Sequence, residues 1–206
     1  MQKPTEIFGK WAEEGKDVGM EKGHTKSVKD MLNFALQERI NIGKNFSFLD
    51  LGCGNGWAAR KVAKSTLCND AVGLDGAEQM IINAKKTEGQ VEYVHADINS
   101  YVPNKKFDLI HSMEVLYYLE DPAKKVKNFN NDWLEDQGRL IIGIDHYYEN
   151  LDSHSWEEKV GTPMLMLKEA EWLDIFFESG LNDVKSWRSN PSKDWSGTLV
   201  LTGKKG

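Results

Sequence analysis

The chain has 206 residues, 40% hydrophobic and 28% charged, with 26 Lys+Arg against 32 Asp+Glu for a formal net charge of −6. That composition suits one globular domain and excludes a low-complexity or disordered chain, while the acid excess argues against binding nucleic acid by neutralising phosphates. Cys53 and Cys68 are too few for a disulfide framework or a cysteine-rich zinc site. No stretch nears the ~18 apolar residues of a membrane span, and Met1–Glu6 lacks the apolar core of a signal peptide. The expectation is therefore a soluble, cytoplasmic protein without nucleic-acid or membrane partners, whose oligomeric state the sequence does not give.

The first 45 residues read as helical. Val28, Met31, Leu32, Ala35, Leu36 and Ile40 recur on one helical face, and Gly43 stands where a C-cap belongs. From residue 46 onward, strand and helix patterns alternate. Strands are predicted at Phe46–Leu51, Ala71–Asp75, Val91–His95, Phe107–Met113 and Gly138–Ile144. Helices are predicted at Trp57–Ser65, at Ala77–Lys86, from Pro122 through Val126 to Trp133, and at Lys168–Ser179. The last of these has no Ser, Thr or Asp at its start to cap it. Two further strands, near Val184–Ser189 and Thr198–Thr202, have no helix between them. The alternation implies a mostly parallel sheet between two helical layers, and the ending implies an antiparallel hairpin.

The sharpest signal is Asp50-Leu51-Gly52-Cys53-Gly54-Asn55-Gly56, between a strand and a helix. Glycines there let the backbone approach a ligand closely, and the helix N-terminus favours negative charge. A dinucleotide fingerprint would need its third glycine where Trp57 stands, and no Gly-Lys-Ser/Thr makes a phosphate loop. Asp75 ends the next strand. It is placed either to accept the two hydroxyls of a ribose or to cap the helix that follows.

These motifs resemble those of the class I S-adenosylmethionine-dependent methyltransferases, and more broadly the group that includes the ubiquinone- and menaquinone-biosynthesis enzymes. Asp50–Gly56 matches their first motif and Asp75 their ribose-binding acid. Ala96-Asp97-Ile98 looks like the adenine-contacting motif, and Phe107–Met113 like the fourth-strand motif. The resemblance spans roughly residues 46–144 and implies a Rossmann-like three-layer α/β fold of seven strands with S-adenosyl-L-methionine as cofactor. By the same resemblance, Gly52, Gly54 and Gly56 would face the donor's methionine portion, with Asp50 at its amino group. Asp75, with Gly76 beside it, would hold the ribose, Asp97 and Ile98 the adenine, and Met113 would lie near the sulfonium. Cys53 reads as a small packing residue.

The implied reaction is methyl transfer to a small-molecule acceptor by in-line displacement, in which positioning can supply ~7–11 kcal/mol. A general base is needed only for a protonated acceptor. Whether the accepting atom is O, N or C is open, and a catalytically silent S-adenosylmethionine sensor or partner subunit is the alternative. His146, at the end of the fifth strand, is the leading base candidate, against the ordinary reading of a structural histidine. Glu114 is the carboxylate candidate, or a solvated capping acid. Tyr117 and Tyr118 are placed for cation–π attraction to the sulfonium or for packing. Trp11, Met20 and His24 precede the sheet and suggest a lid over the donor, unless Gly19 and Gly23 merely mark a turn between helices. Residues 1–45 are thus assigned as the lid, 46–144 as the donor-binding core, 145–166 as an acceptor cap, and 167–206 as the final helix and hairpin. No histidines and acids stand at metal-ligand spacing in the sequence, so no metal is expected. The absence of Asn/Asp-Pro-Pro-Tyr and Pro-Cys motifs speaks further against a DNA acceptor.

Overall fold

The computed structural model describes all 206 residues. The chain begins with two helices, α1 (Pro4–Glu13) and α2 (Asp17–Ile42), and then runs β1 (Phe46–Leu51), α3 (Trp57–Ala63), β2 (Cys68–Asp75), α4 (Glu78–Lys85), β3 (Glu92–His95) and β4 (Phe107–Met113). It continues through α5 (Pro122–Asn128), β5 (Leu134–Ile144), α6 (Trp156–Val160), α7 (Glu169–Glu178), β6 (Asn182–Ser189) and β7 (Thr198–Lys204). The seven strands lie in the order β3-β2-β1-β4-β5-β7-β6. β1 to β5 are parallel, whereas β7 runs antiparallel to both β5 and β6. The expected sheet and its hairpin are both present.

Alternation of side chains across each strand builds a core on either side of this sheet. Leu49, Ile110 and Ile142 point toward Val126 of α5 and Trp172 and Phe176 of α7. Phe48, Leu109 and Ile141 point the other way, toward Val28, Met31 and Leu32 of α2 and Ala59 and Val62 of α3. Between β1 and β4 the strand order reverses, because β1 is followed outward by β2 and β3 while β4 lies on its other side. A cleft beyond the carboxyl ends of the strands opens at such a reversal.

Several boundaries differ from the sequence reading for local reasons. The second half of α2 belongs to the helical layer on the sheet and not to a lid, since Val28, Met31, Leu32 and Ala35 are buried against the strands. Ile40, expected on that face, is 56% exposed, and the buried residue near the helix end is Arg39. The Arg39 guanidinium donates to the Gln137 carbonyl at 3.0 Å and faces Asp108 at 3.5 Å. Gly43 ends the helix in a left-handed conformation, φ 69°. α5 stops at Asn128, and a single π turn over Phe129–Trp133 carries Trp133 into the core. β5 starts at Leu134, four residues earlier than predicted, because a bulge at its start admits the polar Glu135-Asp136-Gln137. The start of α7 is capped from outside the usual set, with Glu171 accepting from the Lys168 N–H at 2.8 Å and Glu149 from the Glu169 N–H at 3.1 Å. No helix is long and apolar enough to cross a membrane.

Candidate active site

The loop after β1 turns on glycines whose geometry is enforced by their neighbours. Gly52 has φ 71°, and a Cβ there would collide with the Val115 side chain. Gly52→Ala is expected to destabilise the fold by about 1–3 kcal/mol through strain and overpacking. Urea unfolding checks this, and an unchanged midpoint would contradict it. Gly56, also in the left-handed region at φ 78°, begins α3 under the ring of Tyr93. It does not itself line the cavity, as its neighbours Asn55 and Trp57 do, and the Tyr93 ring over it gives the glycine a part in helix–strand packing.

Asp75 fixes the same loop. One of its oxygens accepts from the Gly54 N–H and the other from the Ala77 N–H, both at 2.8 Å. The ribose-binding and helix-capping readings are thus compatible, since a carboxylate has further lone pairs to offer hydroxyls. Burial pushes its pKa up, opposed by these two hydrogen bonds. Asp50 is 2% exposed, and one oxygen meets His111 Nδ1 at 2.7 Å. Its other oxygen, Oδ2, is buried without a partner. Cys53 is buried, and burial raises its thiol pKa well above the ordinary value, which suits a packing residue.

These groups open into one cavity of about 1340 Å³. Asp50, Gly52, Gly54, Asp75 and Gly76 line one side, with Asp97, Ile98 and Met113 farther along. Ile98 is buried, while Asp97 is exposed and its Oδ1 already accepts from the Asn99 N–H at 2.9 Å. Above them, α1 and the first turns of α2 contribute Trp11, Met20 and His24. Glu21 ties α2 to the loop by accepting from the Asn55 amide at 3.1 Å, and the Asn83 amide of α4 donates to the Ala12 carbonyl at 3.1 Å. Thr5 packs against the backbone of Gly76 so closely that a Cβ there would not fit.

The opposite side is built by the segment after β4 and by residues 156–165. Glu114 adopts φ 61° immediately after the strand. Its side chain accepts from the Tyr117 hydroxyl at 2.7 Å and from the Asp145 N–H at the end of β5. Trp156 and Val160 of α6, together with Pro163, Met164 and Leu165, close this end. The Leu165 N–H donates to the Tyr117 carbonyl at 2.8 Å, and the Gln2 N–H reaches the Gly161 carbonyl at 3.1 Å, so the chain's start meets the insertion.

His146, the leading base candidate, stands behind the cavity wall, its ring 5.2 Å from that of the cavity-lining Tyr117. It is 1% exposed, lies outside the cavity lining, donates from Nδ1 to the Ser153 carbonyl at 3.1 Å, and stacks near Trp156. Strand alternation explains the correction, because consecutive residues leaving β5 point to opposite sides. Asp145 turns toward His24 and Glu114, which line the cavity, and stands behind them without lining it itself. Asp145 comes within 4.0 Å of His24 Nε2, and the ligand atoms of His24, Glu114 and Asp145 lie within 4.8 Å of one another. Sequence spacing hid this trio, whose members come from three distant elements. The strand register held a clue: Met113 pairs with Gly143, which places the residues that follow each strand side by side. Burial raises the pKa of Glu114, aided by the Asp145 charge, raises Asp145 to about 6, and lowers His24.

The residues fit S-adenosylmethionine on an observation of their own. The unpartnered Asp50 Oδ2 is a buried acceptor at the glycine loop, where an amino group would satisfy it, and Asp75 stands across the loop with acceptor capacity for hydroxyls.

Sheet order, glycine loop and strand-end acid together give the fold of the class I S-adenosylmethionine-dependent methyltransferases. Residues 49–142 match the family described as "Methyltransferase domain". The chain is 25% identical over 163 residues to (S)-coclaurine N-methyltransferase of Papaver somniferum, covering 73% of this chain and 46% of that protein. It is 31% identical over 117 residues to malonyl-[acyl-carrier protein] O-methyltransferase of Halalkalibacterium halodurans, covering 52% and 43%. It thus spans about half the length of these curated relatives. Among solved structures, the methyltransferase in the complex with the Haloferax volcanii Trm112 activator superposes with a TM-score of 0.81 at 24% identity, over 99% of this chain and 98% of that one.

Proposed function

We propose that the protein transfers a methyl group from S-adenosylmethionine to a small-molecule acceptor. The observation that carries this reading is the size and two-ended lining of the cavity. At about 1340 Å³ it exceeds the roughly 300–1,000 Å³ typical of a site for one small ligand. The bound donor supplies a methyl group on a sulfonium whose leaving group is a neutral thioether. The chain supplies placement and dryness. Asp50 Oδ2 would accept from the donor's amino group, Asp75 would hold the ribose hydroxyls, and Ile98 would pack against the adenine. Trp11 and Met20, on helices tied to the loop and to α4, exclude water from above. Residues 145–166 cap the acceptor, which is thereby held in line with the methyl.

Two measurements test this. Trp11→Ala is expected to weaken S-adenosylhomocysteine binding about 10-fold in calorimetric titration; unchanged affinity would remove α1 from the site. Incubating the protein with labelled methyl donor and a metabolite extract is expected to give a labelled small molecule. Binding of S-adenosylhomocysteine without any labelled product would favour a silent binding subunit. The fold match to a methyltransferase solved with its activator makes a partner-dependent subunit the form that this second reading takes.

A further inference from the structure

We propose that His24, Glu114 and Asp145 form an ammonium-recognition site at the acceptor end of the cavity, and that the acceptor is an amine methylated on nitrogen; this rests on the methyl-transfer reading above. Asp145 is the most demanding member. Its side chain is only 9% exposed, its Oδ1 has no hydrogen-bond partner, the Thr198 hydroxyl lies beside the carboxyl, and its one cationic neighbour is His24. Glu114 makes no ion pair, and no lysine or arginine lies within salt-bridge distance of either acid. Two acids buried together without a compensating cation are costly, and a cationic guest supplies what the chain lacks.

His24 and Asp145 stand 4.0 Å apart, between the ~4.7 Å that separates the acceptors of a triply hydrogen-bonded ammonium and the ~3.4 Å between the ligands of a tetrahedral zinc ion, so the kind of cation is read from the neighbouring side chains. The tyrosines beside Glu114 suit an ammonium group. Tyr117 donates its hydroxyl to Glu114, and Tyr118, whose ring centroid is 4.4 Å from that of Tyr117, also lines the cavity. Such rings attract an ammonium group by cation–π interaction.

The chemistry balances with groups already present. The bound ammonium gives one proton to His24 Nε2, and the Asp145 carboxylate beside it stabilises the resulting imidazolium. The amine then turns its freed lone pair away from His24 to the methyl carbon, still held through an N–H to the acids, and the lone pair forms the new N–C bond as the C–S bond breaks, its electrons passing to sulfur. The products are neutral S-adenosylhomocysteine and an N-methylated ammonium that carries the charge formerly on sulfur. His24 returns its proton to solvent when the product leaves.

The test divides a metabolite extract on a cation exchanger at acid pH into a retained, amine-containing fraction and a flow-through, and incubates each with labelled methyl donor. The expected result is a product from the retained fraction alone, labelled on nitrogen by mass spectrometry. Its formation should fall about 100-fold in Glu114→Gln and in Asp145→Asn, while both variants keep the melting shift given by S-adenosylhomocysteine. Label from the flow-through, or from neither fraction while that shift is present, overturns the proposal. So does weaker binding of the cationic donor but not of neutral S-adenosylhomocysteine in both variants with amine methylation intact, since the acids would then serve the sulfonium. A melting shift from Zn²⁺ or Mg²⁺ alone that Asp145→Asn abolishes, with no amine product, overturns it in favour of a metal site. If the wild-type protein shows no shift with S-adenosylhomocysteine, the donor reading itself fails.

Discussion

Replacing Asp75 by alanine is expected to abolish the melting shift that S-adenosylhomocysteine gives the wild-type protein. Ligand at 100 times its Kd adds about 2.7 kcal/mol, which for a chain of this size is a shift of roughly 5–10 °C. The variant should also melt lower without ligand, because the Gly54 and Ala77 N–H groups both lose their acceptor. Each buried donor left unpaired costs about 1–3 kcal/mol. Asp75→Asn, which keeps one carbonyl oxygen, should recover part of the stability while still binding ligand poorly. An undiminished ligand shift in the alanine variant would show that the strand-end acid is only a cap.

Asp145→Asn is expected to act in the opposite direction and raise the stability of the ligand-free protein at pH 7.5 by about 2–3 kcal/mol. Burial lifts the Asp145 carboxyl to about 6, from an ordinary value of 3.8. The native state therefore holds a proton that the unfolded chain has already released between these values, and stability falls as pH rises through that window. A carboxyl whose pKa stands one pH unit higher in the folded chain than in the unfolded one costs the fold about 1.4 kcal/mol once both have ionised. Glu114, raised by burial and by Asp145, and His24, lowered by burial, face the same group. The informative quantity is accordingly the difference between wild type and variant in urea unfolding, which should be large at pH 7.5 and shrink toward pH 4. A variant no more stable than wild type at pH 7.5 would contradict it. A site that lowers stability until its ligand arrives is expected where function outweighs packing.

The sheet was legible because its signals are local. Phe107–Met113 is a strand from end to end, and the glycine loop with Asp75 marks the donor side wherever the chain folds around it. Gly56 shows the limit of motif matching. The loop pattern includes it, but only the fold reveals that Tyr93 occupies the space where its Cβ would be. On the acceptor side the informative quantity is register. His146 and Asp145 are neighbours in sequence, yet only the exit angle from β5 decides that Asp145 joins Glu114 and His24 while His146 turns into the protein. The division of α2 was equally hidden. One continuous helix covers the cavity with residues 19–24 and buries Val28 to Ala35 on the sheet, with no break in sequence at the change of role.

Isothermal titration of the full chain with S-adenosylhomocysteine tests the central claim, that the cavity between the glycine loop and the N-terminal helices is a methyl-donor site. One site per chain is expected, with a negative heat-capacity change from burying apolar surface under Trp11 and Met20, and with no binding of NADH. No heat with S-adenosylhomocysteine, or equal binding of NADH, would contradict it.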